Sequence, residues 1–336
     1  MGVALKDILE YDTIELSSIS NKKIAIDSFN MIYQFLASIR QADGTSLTDS
    51  KGNVTSHLKG LFNRCVYFKK NNIKAVFVFD GEAPKLKEAE REIRAKKKED
   101  AKAKYQEALE NDDLVEAKKH AQALNKLTPA MVKDSISLIE AFGFPVVNAP
   151  SEGEAQAGRL CNEGKVFAAC SQDFDSLLFG TKFLIRNLSI SNKRKIPGSS
   201  IYRDVPIEFY ELDKVLDKLQ ITLDELIIVA ILCGTDFNPG GIKGIGPKKA
   251  LKMVREYKDR WDEIFTLLKW HDYFDHTWVD VFNVFKQMKT ENVEVEFNTI
   301  NKDSIREILQ AHDFELMMID RSLNGIKNIK TLDSFF

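Results

Sequence analysis

Four short apolar runs along the chain each deliver acidic residues. Lys23-Ile24-Ala25-Ile26 leads into Asp27, and Ala75-Val76-Phe77-Val78-Phe79 leads into Asp80. Pro145-Val146-Val147 passes through Asn148-Ala149-Pro150 to Glu152 and Glu154. Val166-Phe167-Ala168-Ala169-Cys170 passes through Ser171-Gln172 to Asp173 and Asp175. These runs are β-rich and lack polar alternation, the pattern of strands buried on both faces. Helical periodicity occupies 30–40, 57–70, 130–142 and 154–163. Strands alternating with helices predict an α/β fold with a mostly parallel sheet flanked by helices. Ligands of such sheets bind outside the carboxyl ends of the strands, so the six acids are expected at one edge.

Two other segments change the picture. Residues 85–127 are rich in Lys, Glu and Ala, and two helical stretches meet at Asn111-Asp112-Asp113. Their apolar stripe (Ala101, Tyr105, Ala108, Leu109) is thin. It suits either a solvated helical hairpin held by i,i+4 charge pairs or a mobile basic arch over the acidic edge. After Pro206 the pattern becomes helical, and the apolar helix 222–233 ends in Gly234-Thr235-Asp236, a seventh acid. Gly244-Ile245-Gly246-Pro247 then precedes Lys248 and Lys249 at the start of another helix. Glycines there let backbone N–H groups approach a phosphate, with lysines at the helix N-terminus.

Composition is that of an ordinary globular protein: 336 residues, 44% apolar and 29% charged. No apolar run is long enough to span a bilayer and no signal segment opens the chain, so a cytoplasmic protein with no membrane partner is expected. Cys65, Cys161, Cys170 and Cys233 form no CxxC pair, which argues against zinc or a disulfide framework. His271 and His276 are not spaced to share a helical face. The net charge of −2 speaks at first against a nucleic-acid ligand. However, Lys and Arg crowd 85–104, 182–203 and 243–260, while the acids stand singly after the strands.

Seven converging carboxylates repel one another and raise one another's pKa. Hard divalent cations relieve that repulsion. Two Mg²⁺ ions about 3.5–4 Å apart would activate a water and stabilise the leaving oxygen of a phosphodiester. Each acid also has a structural alternative. Ser151 and Glu154 have capping-box spacing, Asp173 and Asp175 suit the start of a helix at Ser176, and Asp27 suits a cap for the helix from Asn30. The joint pattern favours a metal-dependent nuclease over a set of caps. A branched-DNA binding module without activity and an RNA-directed nuclease are the competing readings.

Five blocks carry a family resemblance: Ile26-Asp27-Ser28-Phe29, Val78-Phe79-Asp80-Gly81, Ala149-Pro150-Ser151-Glu152-Gly153-Glu154-Ala155, Ser171-Gln172-Asp173-Phe174-Asp175-Ser176-Leu177 and Gly234-Thr235-Asp236-Phe237-Asn238. Together they resemble the flap endonucleases of the archaeal and eukaryotic branch of the structure-specific 5′-nuclease superfamily. The resemblance implies a twisted sheet flanked by helices, a helical arch and a helix–three-turn–helix. It implies 5′ flap endonuclease and 5′–3′ exonuclease activity on branched DNA, in lagging-strand maturation and repair. It puts all seven acids at metal-site positions for two Mg²⁺ ions, with Mn²⁺ substituting, and a K⁺ ion at the Gly244–Pro247 turn. Lys87 and Arg94 match a basic pair at the arch base that reaches the scissile phosphate. Tyr33 matches an aromatic that stacks beside the cut; its alternative is a core aromatic. Gly244, Gly246, Lys248 and Lys249 are the candidate phosphate contacts of the Gly244–Lys249 motif, and Arg186 and Lys193 to Lys195 are weaker phosphate-contact candidates whose alternative is a solvated basic loop. The pattern departs from the family at Glu82-Ala83-Pro84, where a basic, proline-rich step is usual. Residues 257–325, unusually aromatic, are expected to be helical packing around the duplex-binding lobe.

The organisation implied is one nuclease domain, 1–326, divided into an N-terminal part (1–84), the arch (85–127), an internal part (128–258) and a C-terminal helical part (259–326). A tail, 327–336, follows. In it Leu332, Phe335 and Phe336 match the anchors of a ligand for the replication sliding clamp, with Ile329 where that motif usually carries Gln. A monomer is expected.

Overall fold

The computed structural model describes residues 3–326, apart from 42–43, 112, 122–123, 125, 189–192 and 196–201. The clamp-binding tail expected at 327–336 lies outside the described residues. The strands, in chain order, are β1 (Asp12–Ile14), β2 (Lys23–Asp27), β3 (Lys74–Phe79), β4 (Val146–Asn148), β5 (Ala168–Cys170), β6 (Phe183–Arg186), β7 (Lys193–Lys195), β8 (Tyr202–Asp204) and β9 (Ile207–Glu211). Seven of them form one sheet in the order β1-β9-β6-β5-β2-β3-β4, and β7 pairs with β8 alone. β6, β5, β2, β3 and β4 run parallel, and β9 is antiparallel to both its neighbours. The four strands expected from the apolar runs are the adjacent set β5-β2-β3-β4. Their carboxyl ends therefore share one edge, as the alternation with helices predicts.

Side-chain alternation divides the sheet between two cores. Ile24, Ile26, Ala75, Phe77 and Phe79 face one, shared with α1 (Ser28–Ser38) and α2 (Ser56–Lys70). α3 (Glu88–Glu110) and α4 (Leu114–Ala121) form the expected hairpin, with Ala101, Ala108 and Ala121 buried in a narrow seam. α5 (Pro129–Ala141) returns to the first core. Ala25, Val76, Val78 and Ala169 face the other side, covered by α6 (Gly153–Asn162). α7 (Asp175–Leu178), α8 (Leu212–Leu219), α9 (Leu223–Cys233) and α10 (Pro247–Tyr257) build a third core against the N-terminal segment. A Thr222–Glu225 capping box starts α9, whose side chains are buried all round.

Two expectations need correction. The chain is not yet helical at Pro206: β9 comes first, because Ile207 and Tyr210 are buried between β1 and β6. Residues 257–325 do not form one helical lobe. α11 (Trp261–Leu267) and α12 (Trp278–Gln287) join the third core, whereas α13 (Lys302–Gln310) and α14 (Leu316–Asn324) pack on the first, where α13 lies against α5. An extended strap between α12 and α13 makes the crossing. Its Glu291 backbone is held through both its N–H and its carbonyl by the buried Gln156 amide. Among the described residues no helix is long and apolar enough to cross a membrane.

Candidate active site

Each acid is delivered by an element end. Asp27 closes β2 and caps α1, accepting the Asn30 N–H at 3.0 Å. Asp80 follows β3, and its Oδ1 accepts the Gly153 N–H at 2.6 Å. A Cβ on Gly153 would lie 2.6 Å from that oxygen, so any other residue there would push the Asp80 carboxylate aside. Glu152 and Glu154 open α6, Asp173 and Asp175 follow β5, and Asp236 follows α9. The expected capping box is not formed. Glu152 is the N-cap of α6 and makes no side-chain cap, and the Ser151 hydroxyl donates to the Glu82 carbonyl instead. Glu154 is thereby left to the acid cluster.

Neutral groups not singled out from the sequence tie the acids together. Ser171 Oγ lies 3.1 Å from Asp27 Oδ2 and 2.8 Å from Glu154 Oε1, and Ser176 reaches the same Glu154 oxygen. Asn30 donates to Asp173 at 3.0 Å. The Val3 N–H donates to Asp175 at 2.9 Å across 172 residues of chain, a contact with no local signal. Ser171 and Asn30 had one clue, standing within two or three residues of an acid.

Two cations lean over the cluster from the start of the hairpin. Lys87 Nζ lies 2.5 Å from Glu152 and 3.5 Å from Asp236. Arg94 Nη2 lies 3.1 Å from Asp236, and its Nε pairs with Glu90. Burial pulls the Lys87 ammonium down, but Glu152, Asp236 and Asp80 outweigh it and hold the group above its usual pKa. Arg94 is likewise raised against its own burial, by Asp236 and Glu90. The hairpin is thus not solvated all round: its first residues touch the acids.

For the deep acids burial outweighs such compensation. Burial, then the charge of Asp80, pushes Asp27 up to about 7. Burial, then Asp175 and Asp27, raises Glu154 well above the usual carboxyl range. Asp175 is pushed up to about 7 by burial and by Asp236 and Asp173, although the Val3 N–H opposes the shift. Asp80 is raised by burial and by Glu152. Among the described residues, no three acid, histidine or cysteine side chains are drawn together closely enough to hold an ion as they stand. The donor set is nonetheless entirely carboxylate oxygen, and its inner members are buried with their charge only partly offset. That fits hard divalent cations, which such donors prefer.

The chain matches the XPG N-terminal domain over residues 1–101 and the XPG I-region over 143–236. It is 43% identical to flap endonuclease 1 of Pyrococcus furiosus, with 100% of this chain and 99% of that protein covered. It is 46% identical to flap endonuclease 1 of Staphylothermus marinus over 94% of this chain and 91% of that one. The chain belongs to the flap endonuclease family. The flap endonuclease 1 structure from Methanococcus jannaschii superposes with a TM-score of 0.75 at 37% identity, covering 97% of this chain and 98% of that one. The catalytic core of Rad2, solved in complex with a DNA substrate, shares the fold at a TM-score of 0.72 and 22% identity over 97% of this chain and 100% of that one. As a flap endonuclease, the protein is a structure-specific nuclease that hydrolyses DNA phosphodiester bonds.

The remaining candidates of this flap endonuclease fall into three groups. Tyr33 is 47% exposed on α1, so the core-aromatic alternative does not hold. Gly244 takes φ +81°, a conformation that favours glycine, and nothing stands within 4 Å of a Cβ placed on Gly244 or Gly246. Lys248 and Lys249 are exposed on the first turn of α10. Arg186 differs from expectation. Its guanidinium is turned inward onto the Gln172 carbonyl, Glu208 and Tyr210, away from a phosphate-contacting pose. The side chains of Lys193 to Lys195 lie outside what the structure describes.

Proposed function

We propose that Asp27, Asp80, Glu152, Glu154, Asp173, Asp175 and Asp236 hold two Mg²⁺ ions, for which Mn²⁺ substitutes, and that the substrate is branched DNA with a 5′ flap. When bound, the ions would supply an activated water and stabilise the leaving oxygen. The protein's own groups do the rest. Lys87 and Arg94, already lying against Glu152 and Asp236, offer fixed positive charge to the phosphoryl oxygens as negative charge builds on them. Tyr33 presents an open ring to stack on the nucleotide beside the cut. Gly244 and Gly246 expose backbone to a duplex phosphate, the Gly244–Pro247 turn would hold a K⁺ ion, and Lys248 and Lys249 add charge at the α10 N-terminus.

In this reading residues 1–326 are the nuclease unit, with 85–127 as its arch between the 1–84 and 128–258 parts and 259–326 as its C-terminal part. Residues 327–336 tether it to the sliding clamp through Leu332, Phe335 and Phe336. The protein works in the cytoplasm as a monomer, trimming 5′ flaps in lagging-strand maturation and repair. One observation carries the reading: acids from four adjacent parallel strand ends meet a seventh from α9, with two cations from the α3 end of the hairpin laid across them. The test is cleavage of a 5′-flap duplex and of a matched single-stranded RNA, in Mg²⁺ and then in EDTA. Flap cutting in Mg²⁺ alone, with the RNA intact, is expected. Cutting in EDTA, or preference for the RNA, refutes it.

A further inference from the structure

Asp173 sits between two residues gripped from behind by one side chain. Arg186, at the end of β6, directs Nε and Nη2 at the Gln172 carbonyl, at 3.1 and 2.8 Å. Its Cζ lies over the Phe174 ring, 3.9 Å from the centroid. The guanidinium is itself anchored. Nη1 reaches Glu208 Oε2 at 3.1 Å, and that oxygen also accepts the Tyr210 hydroxyl at 2.9 Å. Tyr210 meets Phe174 edge-on with ring centroids 5.4 Å apart. Arg186 and Glu208 side chains are only 13% and 6% exposed.

We propose that Arg186 is a positioning residue that holds the Ser171–Asp175 loop, and so the separation of Asp173 and Asp175, against the mutual repulsion of the acid cluster. Asp173 and Asp175 stand two residues apart on this loop beside the like-charged Glu154, so an unanchored loop would relax outward and spread the donor oxygens. The anchor acts on both neighbours of Asp173 at once. Two N–H groups converging on one carbonyl fix its direction, and stacking fixes the ring. Lysine keeps the charge but cannot fork onto a carbonyl, reach Glu208 and lie flat on Phe174 together. A phosphate contact, by contrast, needs only a positive charge at the right place. The inference rests on Asp173 and Asp175 being metal ligands.

The experiment is a calorimetric Mn²⁺ titration of the metal-free full-length protein without DNA. It compares the natural protein, Arg186→Lys and Asp173→Asn, and is paired with flap-DNA binding in EDTA across a salt series. Arg186→Lys is expected to weaken Mn²⁺ binding by about 10-fold or more, as loss of a group that orients ligands does. Its DNA affinity in EDTA should stay within about 2-fold, with the same salt slope. Asp173→Asn should also weaken Mn²⁺ binding. Natural Mn²⁺ affinity in Arg186→Lys beside a weakened Asp173→Asn overturns the positioning role. Unchanged affinity in Asp173→Asn overturns the ligand reading and this inference with it. If Arg186→Lys does not fold, Glu208→Gln, which loosens only the rear anchor, decides by the same measure.

Discussion

Replacing Asp175 by Asn separates stability from activity. Asp175 is 6% exposed, and its carboxyl is pushed up to about 7 from 3.8 by burial and by Asp236 and Asp173. A folded-state pKa above the unfolded value means the folded protein holds the proton more tightly. Stability is therefore full below about 4 and is lost as pH rises through the folded value near 7. At about 1.4 kcal/mol per tenfold, ionising this one group costs the metal-free protein up to about 4 kcal/mol. Because the buried Glu154 carboxyl beside it is raised by the same charge and titrates with it, a realised cost of about 2–4 kcal/mol is expected. The amide oxygen of Asn still accepts the Val3 N–H, so the anchor survives. Urea unfolding in EDTA at stepped pH is the assay. Asp175→Asn should match the natural protein at pH 4 and exceed it by about 2–4 kcal/mol at pH 8. Millimolar Mn²⁺ should reverse the order by stabilising only the natural protein. Flap cutting should be lost while DNA binding holds or tightens, because a charge facing phosphate is gone. A pH-independent difference, or one favouring the natural protein in EDTA at pH 8, would refute the uncompensated-charge argument.

Three further outcomes follow from other parts of the molecule. Lys87→Ala and Arg94→Ala should each slow the single-turnover rate on a flap by about 10²-fold or more while weakening binding far less; a pure affinity loss with full rate at saturation would sink their catalytic role. His57 is fully buried, neither ring nitrogen has a hydrogen-bond partner, and its pKa is held down to about 4 by burial and by His312. The unfolded chain thus binds a proton that the folded chain refuses. Stability should fall by about 3 kcal/mol as pH drops from 6.5 to 4, and urea titrations of His57→Phe should lose that slope. Deleting Phe335 and Phe336 should leave basal cutting intact and remove stimulation by the sliding clamp, and Ile329→Gln should tighten clamp binding by about 1 kcal/mol. Equal clamp affinity of native and truncated protein in calorimetry would exclude the tail as the ligand.

Much of the acidic edge could be read from sequence because its cause is local. A continuous apolar run makes a doubly buried strand, and the residue just past its end must stand at the sheet's carboxyl edge. Asp27, Asp80 and Asp173 needed nothing more, and the order of the four runs already implied a parallel core. β9 was hidden because Ile207–Glu211 is stabilised by β1 and β6, more than twenty residues away on one side and nearly two hundred on the other. The same limit hid the crossing strap and the splitting of α11–α12 from α13–α14 between two cores. Charge compensation was equally out of reach. That Lys87 pairs with Glu152 while Asp175 is buried on a single backbone N–H, and that Arg186 turns inward to Glu208, depends on which side chains packing leaves in water. Sequence alone determined which residues reach the edge. The tertiary structure decided which of them are buried, paired or held, because desolvation and Coulomb energies depend on distance in space and not along the chain.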